Sequence, residues 1–146
     1  MNNGLMIKER LYQYNCCTDD RCCICDSDTE SQDHLFGECH YSKQILRLIE
    51  QWCGFRILVS FSHPRTGRSA GAWLKHIVHS LIWTAYYYYV WNQRNNARIN
   101  FQLLKPGAVA EMIKEDVRRK LRRNREKKYT RVDNTWLQKW GVAIVL

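Results

Sequence analysis

The chain has 146 residues, 45% of them apolar and six of them Trp, with 23 Lys and Arg against 14 Asp and Glu for a formal charge of +9. That is enough apolar matter for one domain with a modest core and too much for a disordered chain. The excess charge is local: residues 114–131 hold ten basic residues against three acids, a net +7, and the rest of the chain carries +2.

Residues 1–10 contain no apolar run of signal-peptide length, so export is not expected and an intracellular, reducing setting is, the nucleus included. The first helix is expected over residues 5–14, where Ile7 and Leu11 lie one turn apart. Seven cysteines, an odd number bunched mainly between Cys16 and Cys39, argue for thiolate metal ligands over a disulfide framework. Residues 42–53 repeat Ile45, Leu46, Leu48, Ile49 and Trp52 at helical spacing, with Ser42 expected as N-cap and Gly54 as stop. Ile57, Val59 and Phe61 alternate like a short strand, and 62–71 reads as a loop. Residues 72–101 form the longest expected helix, with Trp73, Ile77, Leu81, Ala85, Tyr88 or Tyr89 and Ile99 on its core side.

Pro106 and Gly107 mark the next boundary. Val109, Met112, Ile113, Val117 and Leu121 then form a narrow apolar stripe on a helix expected to reach residue 128, its opposite face basic at the far end. Residues 134–146 place Trp136, Leu137 and Trp140 at helical spacing before an apolar end, expected to dock on the core or on a protein partner. The longest stretch free of Asp, Glu, Lys, Arg and His, residues 80–93, is 14 residues long, too short to span about 30 Å of hydrocarbon, so no membrane role is expected. The fold class is therefore mainly α: a small zinc-stapled helical domain with long C-terminal helices and irregular loops. Its expected division is a zinc module at 1–58, a loop or linker at 59–71, the aromatic and basic helices at 72–131, and an apolar tail at 132–146.

The zinc assignment rests on Cys22, Cys25, His34 and Cys39, spaced C-x2-C-x8-H-x4-C. Two residues between cysteines let a tight turn aim two thiolates at one ion, and three thiolates with one imidazole close a tetrahedral sphere with no water position. A closed sphere implies a structural zinc. On a regular helix, residues five apart point about 140° from each other, so His34 and Cys39 can share an ion only if the backbone tightens or breaks between them, most easily at Gly37. Leu35, Phe36 and Ile24 are expected beneath the site, and Asp33 is assigned to the spare imidazole N–H. Cys16, Cys17, Cys23 and His40 lie close enough in sequence to stand as alternative ligands.

Several segments resemble, in order, the zinc-binding domain at the C-terminal end of reverse transcriptases of plant LINE-type (non-LTR) retrotransposons. Residues 5–11 resemble the family's L-x-T-K-x-R-L lead-in, with Ile7 in place of the usual Thr, and Cys22 to Cys25 its C-x-L-C, with Cys23 as an extra thiol. Glu30, His34, Leu35, Phe36 and Cys39 match E-x3-H-L-F-x2-C, and Ser42 stands where the family places a serine. Trp91, Arg94, Asn95, Arg98, Ile99 and Phe101 resemble W-x2-R-N-x2-R-I-x-F, and Trp140-Gly141 the closing W-G. The resemblance implies a non-catalytic part of a polyprotein whose polymerase and endonuclease lie elsewhere. Asp19 and Asp20 do not form a polymerase D-D pair, because no hydrophobic hairpin or third Asp accompanies them; they are expected in the turn before the ligands.

The basic block nominates Arg118, Arg119, Lys120, Arg122, Arg123, Arg125, Lys127 and Lys128 as phosphate contacts on RNA or DNA. Trp83, Tyr86, Tyr87, Tyr88, Tyr89 and Trp91 are expected in the core, and His76 and His79, without further ligands, as ordinary helix residues. The leading expectation is a zinc-binding, non-enzymatic module that contributes to RNA or DNA binding. The alternative is a structural or protein-interaction module, or a degenerate retroelement fragment, without nucleic-acid binding.

Overall fold

The computed structural model describes residues 5–57, 71–123 and 131–142. They build α1 (Lys8–Gln13), a π-helical turn (His34–Glu38), α2 (His40–Cys53), α3 (Ala72–Asn100), α4 (Pro106–Arg123) and α5 (Arg131–Lys139). There is no strand among the described residues, where Arg21 and Thr29 form one isolated antiparallel bridge. The alternation expected at 57–61 lies, beyond Ile57, outside the described residues, as does the loop at 62–70. No described helix is long and apolar enough to cross a membrane.

α1 is shorter than its periodicity implies because Ile7 stays extended at φ −73°, ψ 158°. The Glu30 side chain takes the Lys8 N–H at 2.8 Å and the Glu30 carbonyl takes the Glu9 N–H at 3.3 Å, which satisfies donors at the helix start from outside the helix. The same carboxylate, wholly buried, accepts Arg94 Nη2 at 2.6 Å and Nε at 2.9 Å, while its other oxygen accepts the Cys23 N–H at 2.9 Å. Arg94, 64 residues away, also donates to the Met6 carbonyl at 3.1 Å and lies over the Trp91 ring. One carboxylate thus ties the N-terminal lead-in, the cysteine loop and α3 together.

α2 starts at His40, with Cys39 as its N-cap, so Ser42 is not the cap. Ser42 sits inside the first turn and donates its hydroxyl to the Leu35 carbonyl, and Tyr86 donates its own to the Phe36 carbonyl. Both carbonyls face the end of the π turn, where intrahelical partners run out. Gly54 ends α2 in the left-handed region at φ 81°, and a Cβ there would come within 2.9 Å of Lys139 Nζ.

α3 buries Leu74, Val78, Ile82, Ala85, Tyr86, Val90, Gln93 and Arg94, a face rotated by about one residue from the expected one. Ala85 keeps its place, but Trp73, Tyr88 and Ile99 are exposed and Ile77, Leu81 and Tyr89 are half-buried. Apolar side chains occur at nearly every angle of this helix, so its own periodicity does not choose a side; the packing of α4 and the π turn does. Of the six aromatic residues expected in the core, Tyr86 is buried, Tyr88 is exposed and the other four are half-buried.

α4 lies on both α2 and α3 through Val109, Ile113, Val117 and Leu121, as its stripe implies, with Met112 outside. Residues 124–128 of the expected helix lie outside the described residues. In the tail, helix α5 ends at Lys139, Leu137, Trp140 and Val142 are buried in the same core, and the Trp140 indole N–H donates to the Cys53 carbonyl at 3.0 Å. Trp52, Phe55 and Trp136 ring Trp140.

Trp140→Ala is expected to cost about 3–5 kcal/mol, the usual range for emptying a fully buried Trp site, measured by chemical denaturation. Arg94→Met leaves Glu30 buried without its cation and is expected to cost about 3–5 kcal/mol. Burial alone would raise the Glu30 pKa, but the Arg94 bonds and the Cys23 and Lys8 N–H groups outweigh it and hold the carboxyl below its ordinary value. An acid depressed on folding contributes stability above its unfolded pKa, about 4.3 for Glu, and loses it as pH falls through the folded value. The stability gap between the wild type and Glu30→Gln should therefore be full at neutral pH and shrink on acidification below pH ~4.

Candidate metal centre

Cys22, Cys25, His34 and Cys39 converge so that one ligand atom from each lies within 4.8 Å of all the others. An ion with Zn–S bonds of about 2.3 Å and Zn–N bonds of about 2.0 Å needs tetrahedral edges of about 3.5–3.8 Å, so the four fit one zinc with small side-chain adjustments. Cys25 Sγ and His34 Nε2 are already 3.3 Å apart. Cys22, His34 and Cys39 are buried and Cys25 is half-buried; Leu35 and Phe36 are buried in the same core as Cys22 and Cys39, and Ile24 and Cys25 pack against it.

Each ligand is aimed by its backbone. The Cys22 carbonyl accepts the Asp26 N–H at 2.9 Å and its N–H donates to the Asp28 carbonyl at 2.8 Å, which closes the loop that carries the first two thiols. Within that loop the backbone N–H groups of Cys25 and Ile24 work to lower the Cys22 thiol, against its overall rise. Cys39 stands at the N-cap of α2, where the backbone N–H groups of Tyr41 and Ser42 help to lower its thiol. Helix N-terminal donors favour negative charge, and a thiolate is what the metal needs there.

The turn between His34 and Cys39 widens instead of tightening. The Cys39 N–H donates to the His34 carbonyl at 2.7 Å, the i to i+5 bond of a π helix, which brings residues five apart onto one side. Gly37 is part of this turn, not a break in it. Ser31 starts the turn by accepting the His34 N–H on its hydroxyl at 3.0 Å.

The hydrogen bond with Cys39 and then burial push the Cys22 thiol far up, while the same bond with Cys22 pulls the Cys39 thiol down. A divalent cation binds thiolates, so metal binding at this cluster would release the thiol protons. The carboxylate near the remaining imidazole nitrogen is Asp28, at 3.9 Å from His34 Nδ1; Asp33, expected there, is exposed at the start of the π turn. No spacing rule singles out Asp28, because the reversal of the loop brings it there.

The alternative ligands go elsewhere. Cys16 and Cys17 donate to the Tyr14 and Asp19 carbonyls, and His40 is exposed at the start of α2. Cys23 turns toward Glu30, and its thiol is pushed up to about 12 by burial and then by that carboxylate. His76 and His79 join no ligand group among the described residues. Asp19 bonds Lys8 and the Arg21 N–H, and Asp20 accepts the Thr29 hydroxyl, so both organise the turn before the ligands.

Metal analysis of purified protein should give about one zinc per chain, and Cys25→Ser should lower that content while Cys23→Ser leaves it. Structural zinc in finger-sized modules binds with roughly 10–16 kcal/mol, comparable to the whole stability of a small domain. A strong chelator is therefore expected to abolish cooperative melting, and readdition of Zn2+ to restore it.

No curated protein and no solved structure gave a significant match. Residues 1–45, just under a third of the chain, match the family model zf-RVT, described as zinc-binding in reverse transcriptase, and that segment holds all four ligands.

Proposed function

We propose that the chain is a retrotransposon-derived, non-catalytic zinc module of a plant LINE-type reverse transcriptase and that it binds RNA or DNA. The match over residues 1–45 supports the zinc-binding, reverse-transcriptase kinship. The four-protein-ligand sphere supports a structural role, since a catalytic zinc keeps a position for water or substrate. Seven free thiols suit a reducing compartment such as the nucleus.

The observation that carries nucleic-acid binding is the arrangement of charge on α4. Its acids, Glu111, Glu115 and Asp116, lie in its first two-thirds and pair with Lys114, Arg122 and Lys120. Arg118 turns inward: its Nε donates to the Trp140 carbonyl at 2.9 Å and its guanidinium lies over Trp52, with Nη1 3.6 Å from Glu115, so its charge is already engaged. Arg119 and Arg123 are exposed at the far end, next in the chain to Arg125, Lys127 and Lys128, which lie outside the described residues. The eight nominated cations thus differ: Arg119 and Arg123 face solvent, Lys120 and Arg122 share theirs with acids on the same helix, and Arg118 is engaged with the core.

A fluorescence-anisotropy titration over a salt series tests the proposal. Log affinity should fall linearly with log salt, and Arg119→Ala with Arg123→Ala should flatten the slope by about 1.4–1.8, at roughly 0.7–0.9 per lost phosphate contact, with melting unchanged. Affinity independent of salt, or absent at low salt, overturns it.

A further inference from the structure

The junction between α3 and α4 exposes an unusual amount of apolar surface. Within residues 99–104, Ile99 is 71%, Phe101 91%, Leu103 43% and Leu104 46% exposed. Phe101 ends α3 in the left-handed region at φ 53°, a conformation uncommon outside glycine, and its side chain is almost wholly exposed. Contiguous exposed apolar residues mark a surface that meets something.

Beside this segment is a cleft of about 500 Å³ lined by Gln93, Asn96, Gln102, Leu103 and Leu104. Two apolar walls and three carboxamides make an environment that is flat, greasy and able both to donate and to accept hydrogen bonds. Gln93, 3% exposed, is held in place by its Oε1, which accepts the Leu104 N–H at 3.0 Å, so its amide nitrogen remains a donor at the cleft. The Tyr41 hydroxyl braces the far wall through the Leu104 carbonyl at 2.7 Å.

Charge decides what chemistry this surface suits. From residue 51 to residue 110 the sequence contains no Asp or Glu. Exposed Arg98 and Lys105 stand on either side of the apolar segment, and the positive end of α4 begins at Pro106. An exposed aromatic ring, amides that read base edges and flanking cations without acids are the components of single-strand recognition: stacking from the ring, discrimination from the amides and phosphate attraction from the cations. A duplex keeps its bases stacked and offers the ring nothing.

We infer that the α3–α4 junction is a binding site for an unpaired base of single-stranded RNA or DNA, with Phe101 stacking on the base, the cleft amides on its edge, and Arg98 and Lys105 on the adjoining phosphates. The inference rests on the nucleic-acid reading above and narrows it to single strands and to a second place on the molecule.

The test uses the full zinc-loaded chain with a single-stranded oligonucleotide carrying one 2-aminopurine, in DNA and RNA forms, and the matching duplex. Phe101→Ala should weaken single-strand binding about tenfold and abolish the change in 2-aminopurine fluorescence, with duplex affinity, salt slope and melting unchanged. Phe101→Trp should retain binding. Single-strand affinity that is indifferent to Phe101→Ala, while Arg119→Ala with Arg123→Ala still weakens it, overturns this site and leaves the general nucleic-acid reading standing. Equal losses on single strand and duplex also overturn it, and a wild-type chain that binds neither defeats both readings.

Discussion

The buried pair of Glu30 and Arg94 is the joint on which the rest of the arrangement depends. The metal loop is short and its ligands are close in sequence, so an ion alone would fold only a small knot. Glu30 sits inside that knot, between the two ligand pairs, and its carboxylate reaches outward to the long helix and back to the lead-in strand of chain. Removing two charges from water is expensive, and the cost is offset here only because nearly every donor and acceptor on both groups is used. Such a pair adds little net stability over an apolar substitute, but it tolerates only one orientation of α3 against the metal loop.

The metal site uses the same economy of local geometry. A π turn is an unfavourable piece of helix, and its widened ring leaves carbonyls that the helix itself does not satisfy. Ser42 and Tyr86 take those of Leu35 and Phe36, from α2 and α3 respectively. The turn that lets His34 and Cys39 share an ion is therefore held open by the two helices that pack on it, and Phe36 stacks on Tyr87 at 3.9 Å as part of the same contact. Metal site and helical core are mutually dependent, not a module and its support.

Charge is distributed with equal consequence. Among the described residues Arg94 is the one buried Lys or Arg and is neutralised by Glu30, and Arg118 is drawn onto Trp52 and the Trp140 carbonyl. Exposed positive charge is spread over Lys43, Arg47, Arg56, Arg131 and Lys139 as well as the end of α4 and the α3–α4 junction, in a chain whose middle has no acids. The described part of the apolar tail, by contrast, is largely consumed by the molecule itself: Leu137, Trp140 and Val142 fill the space under the end of α2.

Much was readable from residue order alone. The C-x2-C-x8-H-x4-C spacing names the four residues that meet, because short spacings constrain a chain regardless of what surrounds it. The stripe of α4 and the glycine stop of α2 were equally legible, since each is a one-sided pattern or a local backbone requirement. The buried side of α3 was not, because a helix apolar at almost every angle acquires its inner face from its neighbours. Nor were the π turn, the engagement of Asp28 and not Asp33, the inward turn of Arg118, or the union of Glu30 with Arg94, although both of those residues stood in recognisable motifs. Local chemistry acts over a few residues and is written in their order; which of two carboxylates or eight cations is used depends on distances across the fold, which only packing sets.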